Sequence, residues 1–414
     1  MRDDWPVSHL GEAVELGKGG SWGADSPAPG LKEAFCLRGT DLAELINGKR
    51  PDAPRRWLKQ SELSKSQCKP DMVLIETSGS KCGRSLVLTT EMLAQFELPV
   101  VYSNFCRTLK IDTSKLSSSY AELWFSHNYW NGVIPSYRAT SAMPNLDVKS
   151  LLRMETLLIP PLEVQQRIVD LASSVDSYIA ALQQQADAAR VARSAVLSEL
   201  LSAGGDDWAE TTLGKVAHWQ GGITPSMANR SFWEGGTIPW ISSGDVLQLS
   251  QYGAGKYVTE ATLRETSLKL LPIGTIVVVV RSGILAHTLP VALLDTPSTI
   301  NQDIKAGLPQ SGVLGEFLMW FLRSNSQSIL ESCRKTGTTV QSVSTDAFLR
   351  FQVSLPPTKE QERIVAIVSS MEEVIKSADK VVADAKSLRS GLLSDLLSGS
   401  HEIPESYDRL LGAA

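Results

Sequence analysis

The chain has 414 residues, 43% of them hydrophobic and 21% charged, and a formal net charge of −5, a globular composition with room for two to four domains. No stretch approaches the roughly 20 uninterrupted apolar residues of a membrane span, and the opening Met1-Arg-Asp-Asp-Trp5 has no signal-peptide character, so a cytoplasmic location is expected. The cysteines Cys36, Cys68, Cys82, Cys106 and Cys333 are odd in number and lack Cys-x-x-Cys spacing, which suits reduced thiols and argues against a disulfide framework or a zinc site.

In chain order the sequence reads as a globular region over 1–158, a helix over 159–203, a second globular region over 204–354, a second helix over 355–400 and a tail over 401–414. The first region opens on Trp5-x4-Leu10-Gly11 and a glycine loop, Lys18-Gly-Gly-Ser-Trp22-Gly23. Short apolar runs follow, each meeting a polar turn: Cys36-Leu-Arg38-Gly-Thr40-Asp41, then Met72-Val-Leu-Ile75 running into Ser78-Gly79 with Lys81 and Arg84 close by. Residues 1–154 hold 19 Lys/Arg against 17 Asp/Glu, so this region is near neutral although the whole chain is acidic. Within it, Lys49, Arg50, Arg55, Arg56, Lys59, Lys65 and Lys69 face only Asp52 and Glu62 in the same window, a local basic patch. The acidity sits in 155–203, with 3 basic against 6 acidic residues, and in 355–414, with 7 against 10.

The second region repeats the plan. Trp208-x4-Leu213-Gly214 precedes the glycine loop Gln220-Gly-Gly-Ile-Thr-Pro225; Ile238-Pro-Trp240-Ile-Ser-Ser-Gly-Asp245 matches the Cys36 run, and Thr275 to Gly283 matches the Met72 run. At the end of each region the correspondence becomes gapless. Pro160-Pro161-Leu-Glu-Val-Gln165-Gln-Arg167-Ile168-Val169 recurs 196 residues later as Pro356-Pro357-Thr-Lys-Glu-Gln361-Glu-Arg363-Ile364-Val365, and 17 of the 43 positions from 160 to 202 are identical at that offset. The offset also pairs Trp124-Phe125 with Trp320-Phe321 and Arg138 with Arg334.

Pro161 and Pro357 suit the first turns of helices and Gly204-Gly205 and Gly399 suit their ends. Ile364, Ile367, Met371, Val374, Ala378, Val381, Ala385, Leu388 and Leu392 follow an unbroken 3,4 spacing, a heptad seam. The first copy shows Ile168, Leu171, Val175, Tyr178 and Leu182 before weakening through Gln185. At about 1.5 Å per residue each helix is a rod on the order of 60 Å long. The simplest partner for each seam is the other helix, folded back antiparallel with a globular region at either end; each helix packing on its own globular region is the alternative. The expected fold is therefore α+β, two α/β regions separated by two long helices forming an antiparallel coiled coil, with a pseudo-twofold internal repeat.

Catalytic constellations are not evident. Gly19-x-Ser21-x-Gly23 has nucleophile-elbow spacing, but its counterpart at Gly221-Gly222 lacks the serine. There is no GxxxxGK[ST] loop, no His-Glu-x-x-His, and the five histidines are scattered. What recurs instead is Arg, Lys, Ser, Thr, Asn and Gln on turns, the side chains that donate to phosphates and read base edges.

Two domains, each closed by Pro-Pro-x3-Gln-x-Arg-Ile-Val and a long helix and each opened by Trp-x4-Leu-Gly, resemble the specificity subunit of type I restriction-modification systems. The resemblance covers nearly the whole chain; residues 12–35 depart from it, lacking the Gly-x-Thr-Pro that Gly222-Ile-Thr-Pro225 supplies in the second region. It implies that 1–158 and 204–354 are target recognition domains, each reading one half of a split site on double-stranded DNA, with the helices as spacer. It also implies no catalytic residue and no metal or cofactor in this chain. The partners would be two methyltransferase subunits that bind S-adenosylmethionine and restriction/translocase subunits that use ATP and Mg. On this basis the DNA contacts expected in the first domain are Lys18, Ser21, Arg38, Thr40, Arg55, Arg56, Ser78, Lys81, Arg84 and Arg138. In the second they are Thr224, Ser226, Asn229, Arg230, Ser242, Ser243, Arg281, Lys335, Thr338 and Thr339. The coil and subunit interface is assigned to Ile168, Leu171, Val175, Leu182, Ile364, Ile367, Met371, Val374, Val381 and Leu388. An assembly scaffold that binds protein, and the DNA-recognition subunit of a related defence system, are the competing readings.

Overall fold

A computed structural model describes residues 5–140, 143–335, 340–401 and 403. The chain divides into two compact units, Met1–Leu182 with Val381–Ala414, and Gln183–Lys380. The division runs through the two long helices, Leu162–Ser202 and Thr358–Leu397, so each unit contains one globular part and half of each helix.

The globular part of the first unit holds β1 (Val7–His9), β2 (Val14–Gly19), β3 (Leu31–Leu37), β4 (Arg55–Lys59), β5 (Val73–Glu76), β6 (Ser85–Val87), β7 (Val100–Tyr102), β8 (Cys106–Ile111) and β9 (Thr156–Leu158). They form three sheets: β2-β8-β5-β6, all antiparallel; β4-β3-β7, with β3 and β7 parallel; and the pair β1-β9. The second unit holds β10 (Ala209–Thr212), β11 (Ala217–Gly221), β12 (Ile238–Ile241), β13 (Lys256–Val258), β14 (Ile276–Val279), β15 (Val291–Leu293), β16 (Thr299–Ile300), β17 (Ile304–Pro309) and β18 (Gln352–Leu355). Its sheets are β11-β17-β14-β15, β13-β12-β16 and β10-β18. Each sheet of one unit has a counterpart with the same order and strand directions in the other, so the duplication extends through the regions where sequence identity fades.

Both repeated motifs acquire a physical reason. In Trp-x4-Leu-Gly, Leu10 and Leu213 are fully buried. A Cβ on Gly11 would stand 3.1 Å from the Leu152 carbonyl oxygen, and one on Gly214 would stand 3.0 Å from that of Leu349, so the glycine allows the helical turns Leu10–Glu12 and Leu213–Val216 to close on the short helices Val148–Met154 and Thr345–Arg350. In the Pro-Pro-x3-Gln motif the glutamine is a latch. Gln165, fully buried, accepts the Ser117 N–H at 2.8 Å and donates to the carbonyls of Lys115 and Pro160, both at 2.8 Å. Gln361 accepts the Leu314 N–H at 2.8 Å and donates to Gly312 at 2.9 Å and Pro356 at 2.8 Å. A buried amide with donor and acceptor both satisfied ties the start of each long helix to the turn ahead of Ser118–Trp130 or Gly315–Ser324.

In the second unit, Arg193 and Arg190 of the first long helix pair with Glu372 and Asp379 of the second; the numbers run in opposite senses, so the helices are antiparallel. In the first unit Arg389 holds Asp176. Arg389 and Asp176 are the repeat mates of Arg193 and Glu372, so one ion pair occurs twice. The seam itself differs from the expected one. Ile168 and Ile364 are buried, and Leu171, Val175, Leu182, Ile367 and Met371 are half-buried. Val374, Val381 and Leu388 lie outside the seam, 61%, 45% and 75% exposed. The buried columns are Gln165, Ile168, Ala172, Ile179, Ala186 and Leu197 on one helix and, 196 residues on, Gln361, Ile364, Val368, Ile375, Val382 and Leu393 on the other. In the second helix two adjacent columns are apolar, one turned about 100° from the other. The repeat decides between them: Val374 and Val381 correspond to Tyr178 and Gln185, whereas Ile375 and Val382 correspond to Ile179 and Ala186, which can pack in a close helix pair.

Candidate nucleic-acid interface

The antiparallel order places the ends of β2 and β5 beside the starts of β8 and β6, so the turns there share one end of the sheet. In the first unit they are linked by backbone hydrogen bonds. Ser21 N–H donates to Tyr102 O (3.0 Å), Gly20 N–H to Cys106 O (3.3 Å), Thr77 N–H to Phe105 O (2.8 Å), Gly79 N–H to Pro144 O (2.9 Å) and Leu146 N–H to Thr77 O (2.9 Å). A Cβ on Gly20 would collide with the Tyr102 carbonyl, which explains why a glycine loop stands here. The end of β3 joins the group through Ser103 N–H to Leu37 O (2.9 Å).

The second unit builds the same group from different side chains. Ile223 N–H donates to Ile300 O (3.2 Å), Asn301 N–H to Ile241 O (3.0 Å), Val280 N–H to Asp303 O (2.8 Å), Ser282 N–H to Gln341 O (3.1 Å) and Val343 N–H to Val280 O (2.8 Å). Gly222, like Gly20, sits where a Cβ would collide with a strand-end carbonyl, that of Ile300. Asp41 accepts the Arg38 N–H at 2.7 Å and Asp245 accepts the Ser242 N–H at 2.8 Å, so the turns after β3 and β12 are closed alike.

The sequence-derived contacts of the first unit lie on or beside this group, but most of its arginines are already engaged. Arg84 is 11% exposed and grips buried Glu76 through two bonds of 2.8 and 2.9 Å while donating to Gly39 O. It is a structural ion pair and not a free contact, a correction to the sequence reading. Arg56 is also 11% exposed, paired with Asp25 and stacked on Trp22 with 3.9 Å from guanidinium carbon to ring centroid. Arg38 clamps Asp41 and donates to Asp52 O (2.9 Å); the Asp41 bond holds its pKa above the ordinary value. Arg55 pairs with Glu33 (3.3 Å) and, with Arg50, with Glu97. Arg138 donates to Cys82 O (2.8 Å) and lies over Tyr129. The basic window therefore meets acids from outside itself and is far less positive than its sequence suggests. Lys18, Thr40 and Lys81 are exposed, Ser21 and Ser78 half-buried, and neither lysine has an ion pair among the described residues.

In the second unit Arg281, 54% exposed, pairs with Asp303 at 2.5 Å, and Lys335 and Ser226 are exposed. Thr224 donates to the Gln302 carboxamide; Asn229 accepts from Ser231 N–H (3.2 Å); Ser242 donates to Asp245 (2.7 Å); Ser243 is half-buried. Arg230 is well exposed, 3.7 Å from Glu234. Thr338 and Thr339 lie outside the described residues. Sequence reasoning passed over Asn104, Phe105, Arg107, Gln302 and Lys305, which the topology brings to the middle of the two groups. Arg107 donates to Gly17 O (3.1 Å). These residues lie just before or at the start of β8 and β17, where the repeat register slips, so no repeated motif marked them.

All five cysteines are buried free thiols, and burial pushes the thiols of Cys36 and Cys106 up to about 12. Among the described residues no group of three or more His, Cys, Asp or Glu side chains is placed to hold a metal, and no helix is long and apolar enough to cross a membrane.

Residues 205–381 match the family model for the type I restriction modification DNA specificity domain. The chain is 38% identical over 166 residues to the Escherichia coli type I restriction enzyme EcoR124I/EcoR124II specificity subunit, covering 40% of this chain and 41% of that protein. It thus spans about two-fifths of the length of the curated relatives it matches. In three dimensions it resembles a chain from a structure described as the structural basis of complex assembly and conformational transition of the type I R-M system (TM-score 0.63, 13% identity, 96% of this chain and 98% of that one). It also resembles the type I restriction-modification S subunit from M. genitalium (TM-score 0.52, 15% identity, 98% of both chains). At these identities the structural likeness concerns the fold.

Proposed function

From the match of residues 205–381 to the type I restriction modification DNA specificity domain, we propose that the whole chain is the specificity subunit of such a system. Each unit reads one half of a split double-stranded DNA site with the turns at the end of its four-stranded sheet. The observation that carries this reading is the pair of equivalent turn groups: the backbone frame is kept, while the side chains it presents differ, as expected of two readers of different sequences. Lys18 and Lys81 in one unit and Arg281, Lys305 and Lys335 in the other suit phosphate contact.

The chain itself performs no chemistry in this account. The enzymatic partners are two methyltransferase subunits using S-adenosylmethionine and restriction/translocase subunits using ATP and Mg, in the cytoplasm. Apolar side chains left exposed on the long helices, Val381 and Leu388 in the first unit and Val191 and Val374 in the second, are assigned to those subunits.

Co-expression with a type I methyltransferase subunit, followed by single-molecule mapping of methylated adenines, tests the reading. A split motif with a fixed unread gap is the expected result. A stably assembled complex that adds no methylation would overturn it and favour a related defence system or a scaffold, which salt-dependent DNA binding would then tell apart.

A further inference from the structure

The turn between β7 and β8 and the turn between β16 and β17 are the same object in the two units. Each closes with an N–H to carbonyl bond over three residues, Cys106 to Ser103 (3.0 Å) and Ile304 to Asn301 (3.4 Å). Each is bonded on one side to the turn after β2 or β11 and on the other to the turn after β5 or β14. It is therefore the middle of the group, with Lys18 at the end of β2 and the turn of Lys81, or the turn of Arg281, on its flanks. Its two tip residues are Asn104 and Phe105 in the first unit and Gln302 and Asp303 in the second. The first tip residue is in both cases an exposed carboxamide.

An asparagine in a turn commonly satisfies neighbouring backbone. Asn104 does not: its amide makes no hydrogen bond to any described residue. Gln302 is steadied instead, accepting from Thr224 and donating to Asp303 (3.4 Å), which leaves one N–H and one acceptor site uncommitted. A carboxamide offers one donor and one acceptor side by side. That pair matches the N6 donor and N7 acceptor on the major-groove edge of adenine and mismatches guanine, which shows two acceptors there.

We infer that Asn104 and Gln302 are equivalent base-reading residues, each contacting one adenine in the half-site of its own unit. The inference rests on the DNA-specificity reading and adds to it the residue and the base. It is tested by selecting duplexes from a randomised library with the full chain in its methyltransferase complex, unaltered and as N104A and Q302A. The unaltered complex yields two sequence blocks. N104A lowers the preference for adenine at one position of one block by roughly 10- to 100-fold, and Q302A does so in the other block. The block that stays intact reports in the same experiment that the variant is folded. N104D keeps the shape but replaces the donor with an acceptor, and shifts that position from adenine towards cytosine, whose N4 is a donor. Unchanged motifs, equal weakening of both blocks, or a changed position that is not adenine would each overturn the inference. If the unaltered complex enriches no motif, the specificity reading itself falls and the inference with it.

Discussion

The two units show which parts of this fold are set by packing and which are left to the ligand. Across them the buried leucine and close-packed glycine after each opening tryptophan, the latch glutamine and the helix columns repeat position for position. The turns repeat only as backbone. In the first unit the position after β3 carries Arg38, in the second Ser242; the hub turn carries Phe105 in one and Asp303 in the other. A frame held by main-chain hydrogen bonds and glycine contacts can exchange its exposed side chains at little cost in stability, because surface substitutions away from buried partners change folding energy by only a few tenths of a kcal/mol.

The sharpest test of that division concerns two arginines given the same role by sequence. Replacing Arg84 with alanine strands the Glu76 carboxylate in a buried site and should destabilise the first unit by about 3–5 kcal/mol. Replacing Arg281, whose partner Asp303 keeps access to solvent, should leave the thermal midpoint of the second unit nearly unchanged while weakening DNA binding. Urea unfolding beside binding isotherms separates the two, and equal stability losses would erase the distinction. Next in size are the latches. Gln165→Leu and Gln361→Leu each strand the half-buried N–H of Ser117 or Leu314 and the buried carbonyl of Pro160 or Pro356, with an expected loss of about 2–4 kcal/mol in the unit concerned. A large effect for one and none for the other would break the equivalence of the units.

A smaller, pH-dependent difference follows from Glu122, whose repeat mate is the fully buried Leu318. Burial raises the Glu122 carboxyl from 4.5 to about 7, against the opposing pull of Arg389 and the Ser85 hydroxyl. With the native pKa raised, the protonated form is favoured in the fold. The contribution is fully present below the unfolded value and is lost as pH rises through about 7. Glu122→Gln should therefore stabilise the first unit at pH 8 by on the order of 2 kcal/mol, and the gain should fade towards pH 4. Unfolding midpoints followed against pH check this, and a gain independent of pH would contradict it.

Much of this architecture was legible in the sequence because repetition multiplies weak signals. The offset of 196 residues located both helices and the Pro-Pro motif, and with the register allowed to slip upstream the repeat also matched the two Trp-x4-Leu-Gly openings, the Cys36 run with the Ile238 run and the Met72 run with the Thr275 run, the last two being β3 with β12 and β5 with β14. Three kinds of information were hidden. Ion-pair partners come from distant chain: Glu97 answers Arg50 and Arg55, Asp25 answers Arg56, and Glu76 answers Arg84, so a window of local charge overstated the positive surface. The helix seam was ambiguous because Val374 and Ile375, or Val381 and Val382, are neighbours of like hydrophobicity; only burial, or strict use of the Gln185 counterpart, selects the column. Asn104 and Gln302 were missed for a third reason, since loop lengths differ between the units and the constant offset does not hold there.

The central claim is that one backbone frame reads DNA twice. Hydroxyl-radical footprinting of the full chain, assembled with the proposed methyltransferase partner on a duplex carrying the split motif, measures this directly. The account predicts two protected blocks separated by an unprotected gap, with Arg281→Ala weakening one block and Lys81→Ala the other. A single continuous block, or loss of both blocks in either variant, would contradict it.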